Sequence, residues 1–314
     1  MSEKTIKAIK NVIEDCMGMK KNETLLVITD DKKFDLAHEF VKTARTMGFN
    51  AVLAEGSAQE RKMPKLCGAA LKEADTALFI TSNSFSHTEE RAEANKRGCR
   101  IASMPTITEE IVDTTLNADF DEVEKIGNIL ADKLSKCNKI HILTELGTDL
   151  ILYCDRRYGI ADTGKLTEKG AFGNLPAGEA MIAPIETKGD GKLVVDGVIV
   201  GMGVLSSPVI IEFKDGRIID VSGENAEEFK AFISQFDDNA KKVCEFGIGT
   251  NSNCHIIGNP LVDEKIYGTI HIACGNNLFM GGIQDSNIHY DMIIKEPTVY
   301  FDDECIMEKG KHIY

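Results

Sequence analysis

Asn287–Ile294, NIHYDMII, alternates with a period of two that a strand explains and a helix does not. Ile288, Tyr290, Met292 and Ile294 fall on one side, as core. His289 and Asp291 fall together on the other. A second short run, Thr269–Ala273, carries His271, with Ile270 and Ile272 facing away from it. Two strands therefore offer two imidazoles and a carboxylate, a donor set that suits a divalent transition metal. Gly275, Gly281 and Gly282 in the linker suit a tight, closely approached backbone.

A histidine and an aspartate on one strand face are also a common surface pair. Two acids upstream add to them: Glu179 in NLPAGEAMIAP (Asn174–Pro184) and Glu245 in EFGIGTN (Glu245–Asn251). Both are expected beside glycine-rich turns flanked by apolar residues. A carboxylate in such a setting needs a partner, and a metal ion is an adequate one.

The first third of the chain has another texture. Strands are expected at Thr24–Thr29, Ala51–Ala54, Thr76–Thr81 and Cys99–Ala102. Helices are expected between them: one carrying Phe34 to Ala44 and stopped by Gly48, then Pro64–Ala74 and His87–Arg97. Such alternation predicts a parallel sheet with helices on both faces. No G-x-G-x-x-G follows the first strand, so no nucleotide site is indicated. An amphipathic helix, Asp119–Ser135, leads to a second domain. Strands and turns dominate from there, with hairpins expected at Asp196–Gly197 and Asp215–Gly216 and one helix over Glu224–Val243. The fold class expected is α/β: a parallel-sheet domain, residues 1–136, then a mixed α+β metal-binding domain, residues 137–314.

Composition excludes several classes of function. A net charge of −14, with no basic run longer than a pair, argues against nucleic acid or an anionic membrane as partner. Nine scattered cysteines without C-x-x-C indicate neither a disulfide framework nor a zinc finger. The start, MSEKTIKAIK, has no signal-peptide core, and the apolar stretch Lys192–Ile211 is broken by Asp196 and several glycines. A cytoplasmic protein is expected.

NLPAGEAMIAP, EFGIGTN, DEKIYGTIHIACG and the closing H-Y-D followed by EPTVYFDD occur in the order seen in the thermophilic metallo-aminopeptidase family, which this sequence resembles. That resemblance implies a pair of zinc, cobalt or manganese ions held by Glu179, Glu245, His271, His289 and Asp291, with Glu179 and Glu245 also serving catalysis. It further implies a homodimer that releases amino-terminal residues from small peptides through a metal-activated water. The family's tyrosine, seven residues after the first metal histidine, is Leu278 here. A ring-cleaving dihydroxypyridine dioxygenase is similar to the same family. It would need one iron(II), which His271, His289 and Asp291 could hold. The two glutamates favour two ions, so the hydrolase is the expectation and the dioxygenase the alternative. Outside this set, His255 is a lesser candidate for metal or substrate contact, Arg156 for a substrate carboxylate or a structural ion pair, and Cys274 reads as packing.

Overall fold

The computed structural model describes residues 2–313. The chain forms an α/β protein of two compact units. One holds Met1–Asp121 and Gly164–Ala177, the other Glu122–Thr163 and Gly178–Tyr314. The chain therefore crosses between units more than once, whereas the sequence suggested a single boundary near Lys136.

In the first unit the strands Asn50–Gly56, Thr24–Asp30, Thr76–Ile80, Arg100–Ser103 and Phe172–Asn174 lie side by side in that order, all parallel. Thr76–Ile80 is buried along its whole length, as a central parallel strand should be. The intervening helices are Phe34–Thr46, Lys65–Leu71 and Glu89–Lys96, the last capped by the Thr88 hydroxyl, which accepts from the Arg91 N–H. The fifth strand, three residues long, belongs to the returning segment and has no apolar signal of its own.

The second unit contains two antiparallel sheets. The eight-stranded sheet runs Arg217–Ser222, Val209–Lys214, Gly189–Val195, Asp149–Tyr153, Lys139–Leu143, Thr298–Phe301, Glu304–Glu308, Lys311–His312. The seven-stranded sheet runs Gly203–Val204, Val198–Ile199, His289–Lys295, Thr269–Gly275, Val243–Gly249, Glu179–Ile182, Ile160–Asp162. Both sheets feed one core, which takes Ile140, Leu152 and Val195 from one and Phe246, Ile272 and Met292 from the other. Ile126, Leu130 and Leu134 of the helix Phe120–Lys136 join it. Among the described residues no helix is long and apolar enough to cross a membrane.

Two expectations for this unit fail for local reasons. Gly189–Val195 and Val198–Ile199 do not pair as a hairpin: they belong to different sheets, and Asp196–Gly197 carries the chain across. Asp196 accepts from the Lys295 N–H, and the Gly197 N–H donates to Ile293, so both turn residues bond to a third strand. The hairpin at Asp215–Gly216 does form. The helix expected over Glu224–Val243 stops at Ile233, with a single turn at Asp238–Lys241 and a strand from Val243. Asp237 keeps helix and turn apart, since its extended backbone and the bonds it accepts from Asn239 and Asn287 make it the cap of the turn and not a helical interior residue.

Candidate metal centre

Four adjacent strands of the seven-stranded sheet converge on one polar face. Glu179 opens its strand, Glu245 lies in Val243–Gly249, His271 in Thr269–Gly275, and His289 and Asp291 in His289–Lys295. The register sets Ala273 opposite both Asp291 and Glu245, and His271 opposite Gly247. Tyr290, Met292, Ile270 and Ile272 point the other way into the core, as the period of two required. The buried Tyr290 hydroxyl donates to Ala240.

Glu245 lies within a fully buried strand and not beside a glycine-rich turn as expected. A bulge between Val243 and Glu245 sets the face on which the carboxylate emerges. The glycines of this segment make room within the sheet: a Cβ on Gly247 would sit 2.1 Å from His271 Nε2. No other residue type fits opposite that imidazole.

His271 Nε2 lies 3.2 Å from Glu179 Oε2 and 3.3 Å from Glu245 Oε1. His289 Nε2 lies 3.1 Å from Glu245 Oε2 and 3.4 Å from Asp291 Oδ1. Glu179, Glu245 and His271 form one group of three close enough to hold an ion, and Glu245, His289 and Asp291 a second, with Glu245 shared. The His289 Nδ1–H donates to the Asn276 carbonyl at 2.8 Å, which turns Nε2 toward the carboxylates. All five residues are buried except His289, whose side chain is 23% exposed. Of the five, His289 is thus the one that meets solvent.

The electrostatics match a cation site. Burial pushes the Glu179 carboxyl up to about 8, with Lys265 acting against it. Burial also acts to raise Glu245, but hydrogen bonds from His271 and His289 outweigh it and hold the group well below the usual range. His271 goes up to about 9, burial being overcome by Glu245 and Glu179, and Asp291 raises His289 in the same way. In the metal-free protein, protons take the place of a cation. Glu179 Oε2, His271 Nδ1 and Asp291 Oδ1 are buried without a hydrogen-bond partner. Buried polar atoms left unpaired are costly, and a divalent ion in either group would satisfy the carboxylate oxygen that lies there. The donor set fits such an ion.

Sequence reading missed several supporting residues. Lys265, buried in the DEKIYG motif, contacts Glu179 Oε1 at 2.5 Å, Glu264 at 2.7 Å and Asp162 at 3.6 Å. Glu186 and Asn277 are also buried and bonded to each other. None has a spacing that marks it, because their partners lie far along the chain. Arg156 is exposed, and its neighbour Arg157 is the one that pairs with Glu186. His255 is exposed, and Cys274 packs in the core.

Comparison with known proteins places this geometry. A relative, the 2,5-dihydroxypyridine 5,6-dioxygenase of Pseudomonas putida, is 22% identical over 260 residues, 77% of this chain and 71% of the relative. The solved 2,5-dihydroxypyridine dioxygenase from Pseudomonas putida KT2440 superposes with a TM-score of 0.84 at 17% identity, covering 98% of this chain and 96% of that one. Wild-type AmpT from Thermus thermophilus has the same fold, with a TM-score of 0.71 at 15% identity and 99% of each chain covered. The aminopeptidase resemblance thus holds for the fold but not for the family. A metal-dependent enzyme is the common ground of the ligand set and the relatives. The family model described as NicX, 2,5-dihydroxypyridine 5,6-dioxygenase, matches residues 4–314, and the chain belongs to that family.

Proposed function

We propose that this protein is a mononuclear non-haem iron(II) dioxygenase that opens the ring of a dihydroxylated pyridine. One observation carries the reading: Glu245, His289 and Asp291 lie close enough together to hold one ion, with His271 against the other oxygen of Glu245, in a chain matched over residues 4–314 by the dioxygenase family model. Three ligands leave open coordination positions, as non-haem iron oxygenases require. Bound iron would supply the one-electron chemistry that lets triplet dioxygen react with a closed-shell ring, both oxygen atoms entering the product.

The chain's own residues do the rest. Asn276 fixes the His289 tautomer through its carbonyl. Lys265 holds Glu179 Oε1, so that Oε2 remains to accept the proton of a substrate hydroxyl. Burial of the other walls keeps bulk water from the reacting ring. Glu245 anchors both imidazoles from the adjoining strand.

A second reading has its own observation. Glu245 directs one oxygen to each imidazole and so belongs to both three-residue groups, as a carboxylate bridging two ions would. That arrangement supports a two-metal aminopeptidase. Metal analysis of protein purified without chelators separates the two. One iron per chain, with oxygen uptake matching loss of 2,5-dihydroxypyridine, is the expected result. Two zinc, cobalt or manganese ions, with amino-acid release from short peptides, would overturn it.

A further inference from the structure

The turn Leu278–Met280 and the residues after it present Leu278, Phe279 and Ile283 to solvent, at 52%, 58% and 78% exposure. Three large apolar side chains exposed within six residues are unusual unless something covers them. The backbone carrying them is not loose. Asn277, fully buried, donates from Nδ2 to Glu186 Oε1 at 2.8 Å and to the Cys244 carbonyl at 3.2 Å, and its Oδ1 accepts from the Gln284 N–H at 2.9 Å. Glu186 also accepts from the Ile283 N–H and from Arg157, whose second nitrogen reaches the Gly281 carbonyl at 2.7 Å. A Cβ on Gly282 would collide with the Asn277 side chain, so the loop closes on that residue. A buried, well-bonded frame thus holds an apolar ledge in place.

The ledge stands beside His289, the partly exposed residue of the metal centre. The Phe279 ring centroid is 5.3 Å from that of His289, with the planes at 69°. The same loop supplies the Asn276 carbonyl that orients His289. Two rings at this angle make a corner in which a flat ligand can lie on the phenyl face with one edge toward the metal ligands.

We infer that Phe279 is a specificity-determining residue, the stacking platform for the planar heteroaromatic ring of the substrate, with Leu278 and Ile283 completing an apolar ledge. This deepens the dioxygenase reading and rests on it. It also gives the exposed residues a use that folding does not require of them.

The test is anaerobic calorimetric titration of 2,5-dihydroxypyridine into iron(II)-loaded protein, with metal content and sedimentation measured alongside. Phe279→Ala should weaken binding about tenfold, the size expected for one lost stacking contact. Phe279→Tyr should bind like wild type, and both variants should retain one iron per chain. Equal binding by wild type and Phe279→Ala would overturn the platform while leaving the dioxygenase reading intact. A change in oligomeric state on Phe279→Ala would assign the ledge to a subunit interface and also overturn it. If wild type itself does not bind the ligand, the dioxygenase reading fails and the platform fails with it.

Discussion

In the first unit, Arg100 is 4% exposed, as buried as Glu245 in the second. Each of its three nitrogens has a partner: two meet the two oxygens of Glu23 at 3.0 and 2.7 Å, and Nε donates to the Met17 carbonyl. Asp30, also 4% exposed, accepts from the Ser82 and Lys32 N–H groups. The metal centre gathers three carboxylates around two imidazoles and leaves Glu179 Oε2 and Asp291 Oδ1 without hydrogen bonds. The first arrangement is finished by folding alone. The second is finished only by an ion, and such incompleteness marks a functional site more clearly than burial or charge does.

The largest effect that could break this contrast belongs to the ligands. His289→Ala should empty the centre and lower turnover by at least about a thousandfold, since several kcal/mol of metal assistance are lost. Metal content and oxygen uptake check this, and a variant keeping its full metal complement would remove His289 from the site. Next comes Gly247→Ala. The added methyl would sit where His271 Nε2 lies, so metal affinity should fall roughly tenfold to a hundredfold while the fold survives. Competition with a fluorescent chelator measures it, and unchanged affinity would mean that the strands move apart at little cost.

A stability pair sharpens the comparison itself. Glu23→Gln leaves Arg100 buried without its counter-charge and should cost about 2 kcal/mol at neutral pH, less than for a fully buried pair because Glu23 lies near the surface. The sign with pH follows from Glu23 being held below the ordinary glutamate value of 4.5, chiefly by the hydrogen bond from Arg100. Its stabilisation is present above that value and disappears as pH falls through the lower, folded one, so the wild-type advantage should vanish in acid. Asp291→Asn in chelated protein should cost less, within about 1 kcal/mol, because the attraction to His289 that it loses is offset by relief of the repulsion between Asp291 and the buried Glu264. Urea melts of both variants decide the matter, and equal losses would erase the distinction between the two units. The smallest effect is expected at Leu278. Its side chain is half exposed, and Phe279, not Leu278, meets the His289 ring, so Leu278→Tyr should alter ring-cleavage rates less than about threefold and create no peptidase activity. Rapid release of amino acids by this variant would revive the two-metal reading.

The sequence by itself determined what depends on neighbours along the chain. A period of two put His289 and Asp291 on one face and Tyr290 on the other. The same parity put His271 opposite Ile270 and Ile272. Strand–helix alternation gave the parallel sheet of the first unit. Glycine-rich, apolar surroundings single out Glu179 and Glu245 as well, but those glycines read as turns, because glycine in a strand looks like a break until the facing imidazole is seen.

Tertiary structure decided what depends on residues far apart. Lys265 meets Glu179 across 86 positions, and Asn277 meets Glu186 across 91. No local pattern encodes such pairs. The bulge at Glu245, the passage of Asp196–Gly197 between sheets and the return of Phe172–Asn174 to the first unit are likewise settled by which strand accepts each backbone hydrogen bond. Periodicity says which way a side chain points, and only the assembled sheet says what it points at.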